Sequence, residues 1–288
     1  MARLNVQGLA RKDKGLMSAI VADPGMIAVS ADLSAGEPTC TAWYSKDQNY
    51  YDACFGMVGK APYYKGQILK IDDIYLTTMA VSPIGQGVMR EVYNEKWSGL
   101  TFAEQWAKDP EFFTKKVIKR ERQLHKILCL AIAYGCGPRK MVKIAYDNGY
   151  SLDYKTAKEF YNAYWRLYPR VKAFGDRLEG IYSQRGYLVN DFGYRLVPDQ
   201  PYKCLNYFIQ STVSGIMHVL CEKFFALCPW AEFLTVIHDE VIIEVPEGRL
   251  EDAKVLMKEA EKSLNADLGW TVQVRVGWAA GRDWFAAH

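Results

Sequence analysis

The sequence predicts an α+β fold in which an antiparallel sheet is interrupted by a mostly helical insertion. Three observations predict it. A buried-strand pattern lies near the start of the chain, and a long helical block fills the middle. Two apolar runs joined by a polar bend, an amphipathic helix and a final alternating segment close the chain. Strands near both ends with helices between them suit one sheet assembled from both halves of the sequence.

In chain order, the first strand is "MIAVSADLS" (26–34), which follows the turn signal Asp23-Pro24-Gly25. The stretch from about 51 to 112 is aromatic and Gly-rich, and no element is assigned to it. From about 112 to 185 the pattern is helical, most clearly in "TKKVIKRERQLHKILCLAIAYG", which stops at Gly135 before Gly137-Pro138. "LNYFIQSTVSGIMHVLCEKFFAL" (205–227) reads as a largely buried helix. In "LTVIHDEVIIEV", Phe233–Ile237 and Val241–Val245 read as strands rich in β-branched residues. Their bend carries His238, Asp239 and Glu240 where Asn-Gly or Asp-Gly would be usual. "EGRLEDAKVLMKEAEKSL" places Leu250, Ala253, Met257, Ala260 and Leu264 on one helical stripe. "TVQVRVGW" alternates strictly and is expected to be the last strand.

At 288 residues and 50% hydrophobic, the chain can bury a substantial core in one or two domains. A charged fraction of 24% argues against wholesale disorder, and a net charge of +3 neither requires nor excludes a polyanionic partner. Seven cysteines with no CxxC pair look like the reduced thiols of an intracellular protein. With no signal segment and no apolar run of spanning length, the expectation is a soluble, cytoplasmic protein without a membrane partner.

The candidate chemistry begins with carboxylates. Asp32 ends the first strand, Glu37 follows five residues on, and Asp239 sits at the hairpin bend. Two such strand ends can meet if the strands are sheet neighbours, and the resulting like-charge conflict is relieved by a divalent cation. Either residue alone is an ordinary acidic turn residue; the two together weaken that reading. Arg122, Lys126, Leu130 and Tyr134 recur every four residues and form one helical ridge, cationic first and aromatic last. That polarity matches a nucleoside triphosphate. Lys115, Lys116, Lys119 and Arg120 add charge to the preceding turns. Taken alone, the ridge reads more readily as a solvated basic face over an ordinary buried stripe.

"DLSAGE" (32–37), "RQLHKILCLAIAYG" (122–135) and "HDE" (238–240) resemble motifs A, B and C of family A DNA polymerases, the bacterial DNA polymerase I family. Motif A there reads Asp-Tyr-Ser-x-x-Glu, with Leu33 here in place of the tyrosine. Motif B is Arg-x3-Lys-x7-Tyr-Gly, matched by Arg122, Lys126, Tyr134 and Gly135. "NYFIQST" (206–212) resembles the family's Asn-x3-Gln-Gly-Thr, with Ser211 replacing the glycine. "LYPRV", "GYLVNDFGYRL" and "VGWAAGRDWFAAH" follow the family order, and the likeness runs from about residue 3 to the end except for 55–110.

The resemblance implies a palm at 1–50 and 201–288, with fingers at 51–200 that contain an insertion at about 55–110. It implies that Asp32 and Asp239 ligate two Mg2+ ions (or Mn2+ in their place), assisted by the Leu33 carbonyl, with Glu240 an auxiliary carboxylate. Arg122 and Lys126 would hold the deoxynucleoside triphosphate, and Leu130 would border it where relatives carry Phe or Tyr. Tyr134 and Gly135 would border the nascent pair and template. Glu37 would pack under the sugar, His238 would sit near the primer end, and Asn206 and Gln210 would touch the primer-template DNA. The interval from Asp32 to Arg122 is longer than the family usually shows. The chain also starts just upstream of motif A, so a separate thumb-bearing subunit is expected as a partner. Two rival readings remain at this point: a catalytically silent nucleic-acid-binding relic, and a metal-dependent phosphohydrolase.

Overall fold

A computed structural model describes residues 14–55, 74, 75, 78, 82 and 119–287 of the chain. "RLNVQGLAR", Lys115, Lys116 and most of the expected insertion lie outside the described residues. The chain divides into two compact units: residues 1–40, 191–194 and 209–288 form the first, and 41–190 with 195–208 form the second.

In chain order the described strands are β1 (Met26–Leu33), β2 (Leu188–Val189), β3 (Arg195–Leu196), β4 (Glu232–Ile237), β5 (Glu240–Pro246) and β6 (Val276–Gly281). The first unit is built on a four-stranded antiparallel sheet ordered β4-β5-β1-β6. β1 and β5 are its central strands, flanked by β4 and β6. β5 reads as an almost unbroken apolar run because it is buried along nearly its whole length. The register pairs Met26 with Pro246 at one end and Asp32 with Glu240 at the other. The helix Leu250–Leu268 buries Ala253, Met257, Ala260 and Leu264, the stripe that its 3.6-residue period predicts.

The last strand begins later than its alternation suggests. Val272, Val274 and Val276 are all buried, yet ladder pairing with β1 starts only at Val276. Upstream, side chains of the preceding helix take the place of a neighbouring strand. Asn265 donates to the Val274 carbonyl and accepts from its N–H, and Glu261 accepts from the Val276 N–H. Alternation reports which side is buried, not which partner satisfies the backbone.

The second unit is mostly helical. In chain order, its described helices include Gln48–Phe55, Lys119–Ala133, Pro138–Asp147, Tyr154–Leu167 and Pro169–Arg185. Buried Asp47 ties two of them down: one oxygen accepts from the Tyr50 N–H and the other from the N–H groups of Arg170 and Val171. Those amides lie in the first turn of Pro169–Arg185, where a carboxylate satisfies orphan donors. The helix Gly36–Ser45 and the long helix Cys204–Leu227 each contribute residues to both units. No described helix is long and apolar enough to cross a membrane.

Candidate active site

In the first unit, Asp32 is exposed near the C-terminal end of β1, and Asp239 is half-buried in the turn between β4 and β5. Backbone geometry joins them. The Cα of Asp32 is paired with that of Glu240, the residue after Asp239, and the Leu33 N–H donates to the Asp239 carbonyl at 2.8 Å. Both carboxylates therefore rise from the same end of two bonded strands. The turn closes with two residues between the paired Ile237 and Glu240, and it forces His238 to φ 59°. That is the left-handed region that glycine favours, and a non-glycine residue held there costs about 1–3 kcal/mol.

Neighbouring carboxylates in the hairpin have opposite fates. Glu240 is 1% exposed, and its Oε1 accepts from the Ser30 hydroxyl at 2.6 Å and the Trp284 Nε1–H at 3.1 Å. This leaves two strand-end carboxylates in a solvent-accessible position, and among the described residues no group of three or more acidic, His or Cys side chains could hold a metal. Two hard oxygen donors still fit Mg2+, which binds through one or two carboxylates and fills its shell with water and phosphate oxygens.

The sequence reading missed Gly277. It pairs with Asp32 across β1 and β6, and a β-carbon there would overlap the Asp32 carboxylate. An isolated glycine inside a strand is the available signal, because it often marks a close approach. Glu37, half-buried in the first turn of Gly36–Ser45, accepts a long hydrogen bond from Gln210 Nε2 at 3.4 Å. Two residues expected to handle sugar and DNA are thus neighbours. One turn along that helix, burial and the Glu37 charge push the Cys40 thiol well above its ordinary range, so it stays protonated.

In the second unit, Arg122, Lys126, Leu130 and Tyr134 are all half-buried along Lys119–Ala133 and its exit. That exit is a Schellman motif: the Cys136 N–H bonds the Ala131 carbonyl and the Gly135 N–H bonds Ile132. Gly135 has φ 75°, and a β-carbon there would overlap the ring and carbonyl of Tyr202. Both backbone and space therefore require glycine beside Tyr134. Between the two cations in sequence, His125 is wholly buried, its ring nitrogens bonded to the Ser82 hydroxyl and the Glu121 carbonyl. Burial pushes its pKa from an ordinary 6.5 down to about 4, so the ring is neutral at physiological pH. Asn206, near the start of Cys204–Leu227, has a buried Oδ1 that accepts no hydrogen bond among the described residues.

This architecture defines the class. The fold is that of a polymerase domain: the POL domain of Pol1 from M. smegmatis, solved in complex with DNA primer-template and dNTP, superposes with a TM-score of 0.70. The match covers 99% of this chain and 45% of that one at 17% identity. The family model for DNA polymerase family A matches residues 101–286, and the chain belongs to that family. Among its relatives, thermostable DNA polymerase I of Thermus filiformis is 31% identical over 202 residues, covering 65% of this chain. The DNA polymerase of Mycobacterium phage D29 is 30% identical over 149 residues, covering 48%. The chain spans 23% of the length of each of these two relatives.

Proposed function

We propose that this chain carries the nucleotide-adding centre of a DNA-directed DNA polymerase, a nucleotidyltransferase that extends a primer 3′ end from deoxynucleoside triphosphates. The observation that carries the proposal is the backbone bond from Leu33 to Asp239, which fixes Asp32 and Asp239 at one strand end. Family membership supplies the reaction class.

Asp32 and Asp239, with the Leu33 carbonyl, would hold two Mg2+ ions. Metal bound there would supply charge neutralisation for an in-line phosphoryl displacement. The primer 3′-hydroxyl gives its proton to water and its oxygen bonds to the α-phosphorus while the bond from that phosphorus to the bridging oxygen breaks, releasing pyrophosphate. The protein mainly positions the groups and neutralises charge. Arg122 and Lys126 bind the triphosphate oxygens, and Leu130 and Tyr134 border the sugar and base. Glu37 packs under the sugar, braced by Gln210. His238 sits near the primer end, and Asn206 and Gly135 lie on the DNA side. Glu240 contributes from beneath, since its bonds to Ser30 and Trp284 lock the first residue of β5 and so the turn before it. The work of such an enzyme is DNA replication or repair synthesis.

Duplex grip is proposed to come from a thumb-bearing partner. Duplex affinity follows the number of neutralised phosphates. Extension length per binding event at about 0.15 M salt tests this: short products that lengthen on adding the partner support it, and long products without one reject it.

Primer extension with labelled deoxynucleotides and Mg2+ tests the main proposal. Template-directed elongation supports it. DNA binding without turnover would leave the silent relic, and phosphate release without elongation would leave the phosphohydrolase.

A further inference from the structure

The insertion between the first two motifs contributes one described aromatic residue to the cationic ridge. Tyr75 lies with its ring centroid 5.3 Å from the Arg122 guanidinium carbon and 6.0 Å from Lys126 Nζ. Both distances lie within about 6 Å, the range in which a cation is attracted to the electron-rich face of an aromatic ring. One ring therefore touches both cations assigned to the triphosphate.

The ring is held independently of those cations. Its neighbour Ile74 is 6% exposed, and Thr78, one turn later, donates to the Ile74 carbonyl and bonds the Tyr168 hydroxyl at 3.1 Å. Buried Ser82, four residues on, bonds buried His125 of the ridge helix at 2.8 Å. Buried Ile74, Thr78 and Ser82, with the bonds to Tyr168 and His125, thus anchor the residues around Tyr75 in the second unit.

Arg122 and Lys126 are i,i+4 neighbours, and like charges at that spacing repel. Both also have long side chains whose ordering opposes ligand binding. An aromatic face shared by the two offsets the repulsion and narrows their rotamers before any anion arrives. We infer that Tyr75 is a positioning residue for triphosphate binding, acting through its ring on Arg122 and Lys126. The inference rests on reading those two residues as triphosphate ligands. It assigns to the insertion a role in nucleotide affinity.

The test uses the full chain and two readouts. The first is the KM and kcat for a deoxynucleoside triphosphate in primer extension. The second is direct calorimetric binding of inorganic triphosphate without DNA. Tyr75→Phe keeps the ring and is expected to stay within about twofold of the parent in both. Tyr75→Leu is expected to raise KM and weaken inorganic triphosphate binding roughly tenfold, the scale of two cation–π contacts, with kcat little changed. Phenylalanine analogues bearing one, two and three ring fluorines at position 75 weaken the ring quadrupole at nearly constant size. Affinity is expected to fall stepwise with fluorine number, which keeps the test decisive even if Tyr75→Leu fails to fold. Equal affinity across the fluorinated series, or a Tyr75→Phe loss as large as that of Tyr75→Leu, overturns the inference. If the parent binds inorganic triphosphate but extends no primer, the polymerase reading fails while the binding series still decides the role of Tyr75.

Discussion

The strand end that carries Asp32 and Asp239 and the helix face that carries Arg122 and Lys126 are built to different tolerances. The carboxylates sit on short side chains whose backbones are locked by a ladder, a two-residue turn and the Leu33–Asp239 bond. The cations sit on long, half-buried side chains that rest on an aromatic ring. A metal pair needs oxygen donors fixed closely, because geometry and not flexibility determines whether Mg2+ is held. A triphosphate tail tolerates movement, and long stems follow it. On the proposed assignment, backbone hydrogen bonds would set precision where the bond changes, and side-chain environment would set affinity where charge is gathered.

The largest expected effect tests the rigid half. Asp32→Ala and Asp239→Ala should each slow nucleotide addition by more than ~10³-fold while DNA binding survives. Single-turnover extension beside a filter-binding assay measures both, and near-normal extension by either variant would remove that residue from the metal site. The next effect probes tolerance itself. Gly277→Ala introduces a β-carbon into the space of the Asp32 carboxylate. Displacing a reacting group by about 1 Å can cost on the order of 10²-fold, so kcat should fall that far with KM for nucleotide nearly unchanged. A loss confined to KM would instead link this strand to substrate affinity.

The helical half is expected to show its sensitivity in stability and not in chemistry. The neutral His125 ring is the form that the second unit accommodates, with a folded pKa of about 4 against an ordinary 6.5. Its contribution is fully present above pH 6.5, is lost as pH falls from 6.5 toward 4, and is constant below that. The total is roughly 3 kcal/mol. Urea unfolding at pH 7 and pH 4.5 should show a steep loss for the parent and a flatter one for His125→Asn. Identical slopes would mean that other groups carry the acid sensitivity.

The smallest effect lies in the turn. His238→Gly relieves the left-handed backbone while adding unfolded-state freedom, so stability should change by no more than about 1 kcal/mol, in the stabilising direction. If His238 acts near the primer end, extension falls even as the melting temperature rises. A variant with both quantities unchanged would show the imidazole to be dispensable.

Much of this was legible in the residues. Apolar, β-branched runs located β1 and the hairpin because β1 and β5 are buried along most of their length, and the 3.6-residue period located the ridge helix and Leu250–Leu268. Residue pattern alone does not separate Asp239 from Glu240; only the family resemblance gave them different roles. Adjacent carboxylates look alike until the turn ends between them, and the one-residue step sends Glu240 to Ser30 and Trp284. The early part of "TVQVRVGW" misled because side chains of Asn265 and Glu261 imitate a neighbouring strand. Gly277 was visible as a glycine inside an alternating segment, but its meaning needed the register with Asp32. Tyr75 carried no signal at all, since the segment around it shows no clear period.

The central claim is that Asp32 and Asp239 act as one unit, and a double-mutant cycle on single-turnover primer extension tests it most directly. If the two carboxylates hold the same metals, the first substitution already abolishes the site. The Asp32→Ala/Asp239→Ala chain should then extend no more slowly than the worse of the two single variants. A double variant whose loss is the product of the two single losses would mean that the carboxylates work independently, and would contradict the account.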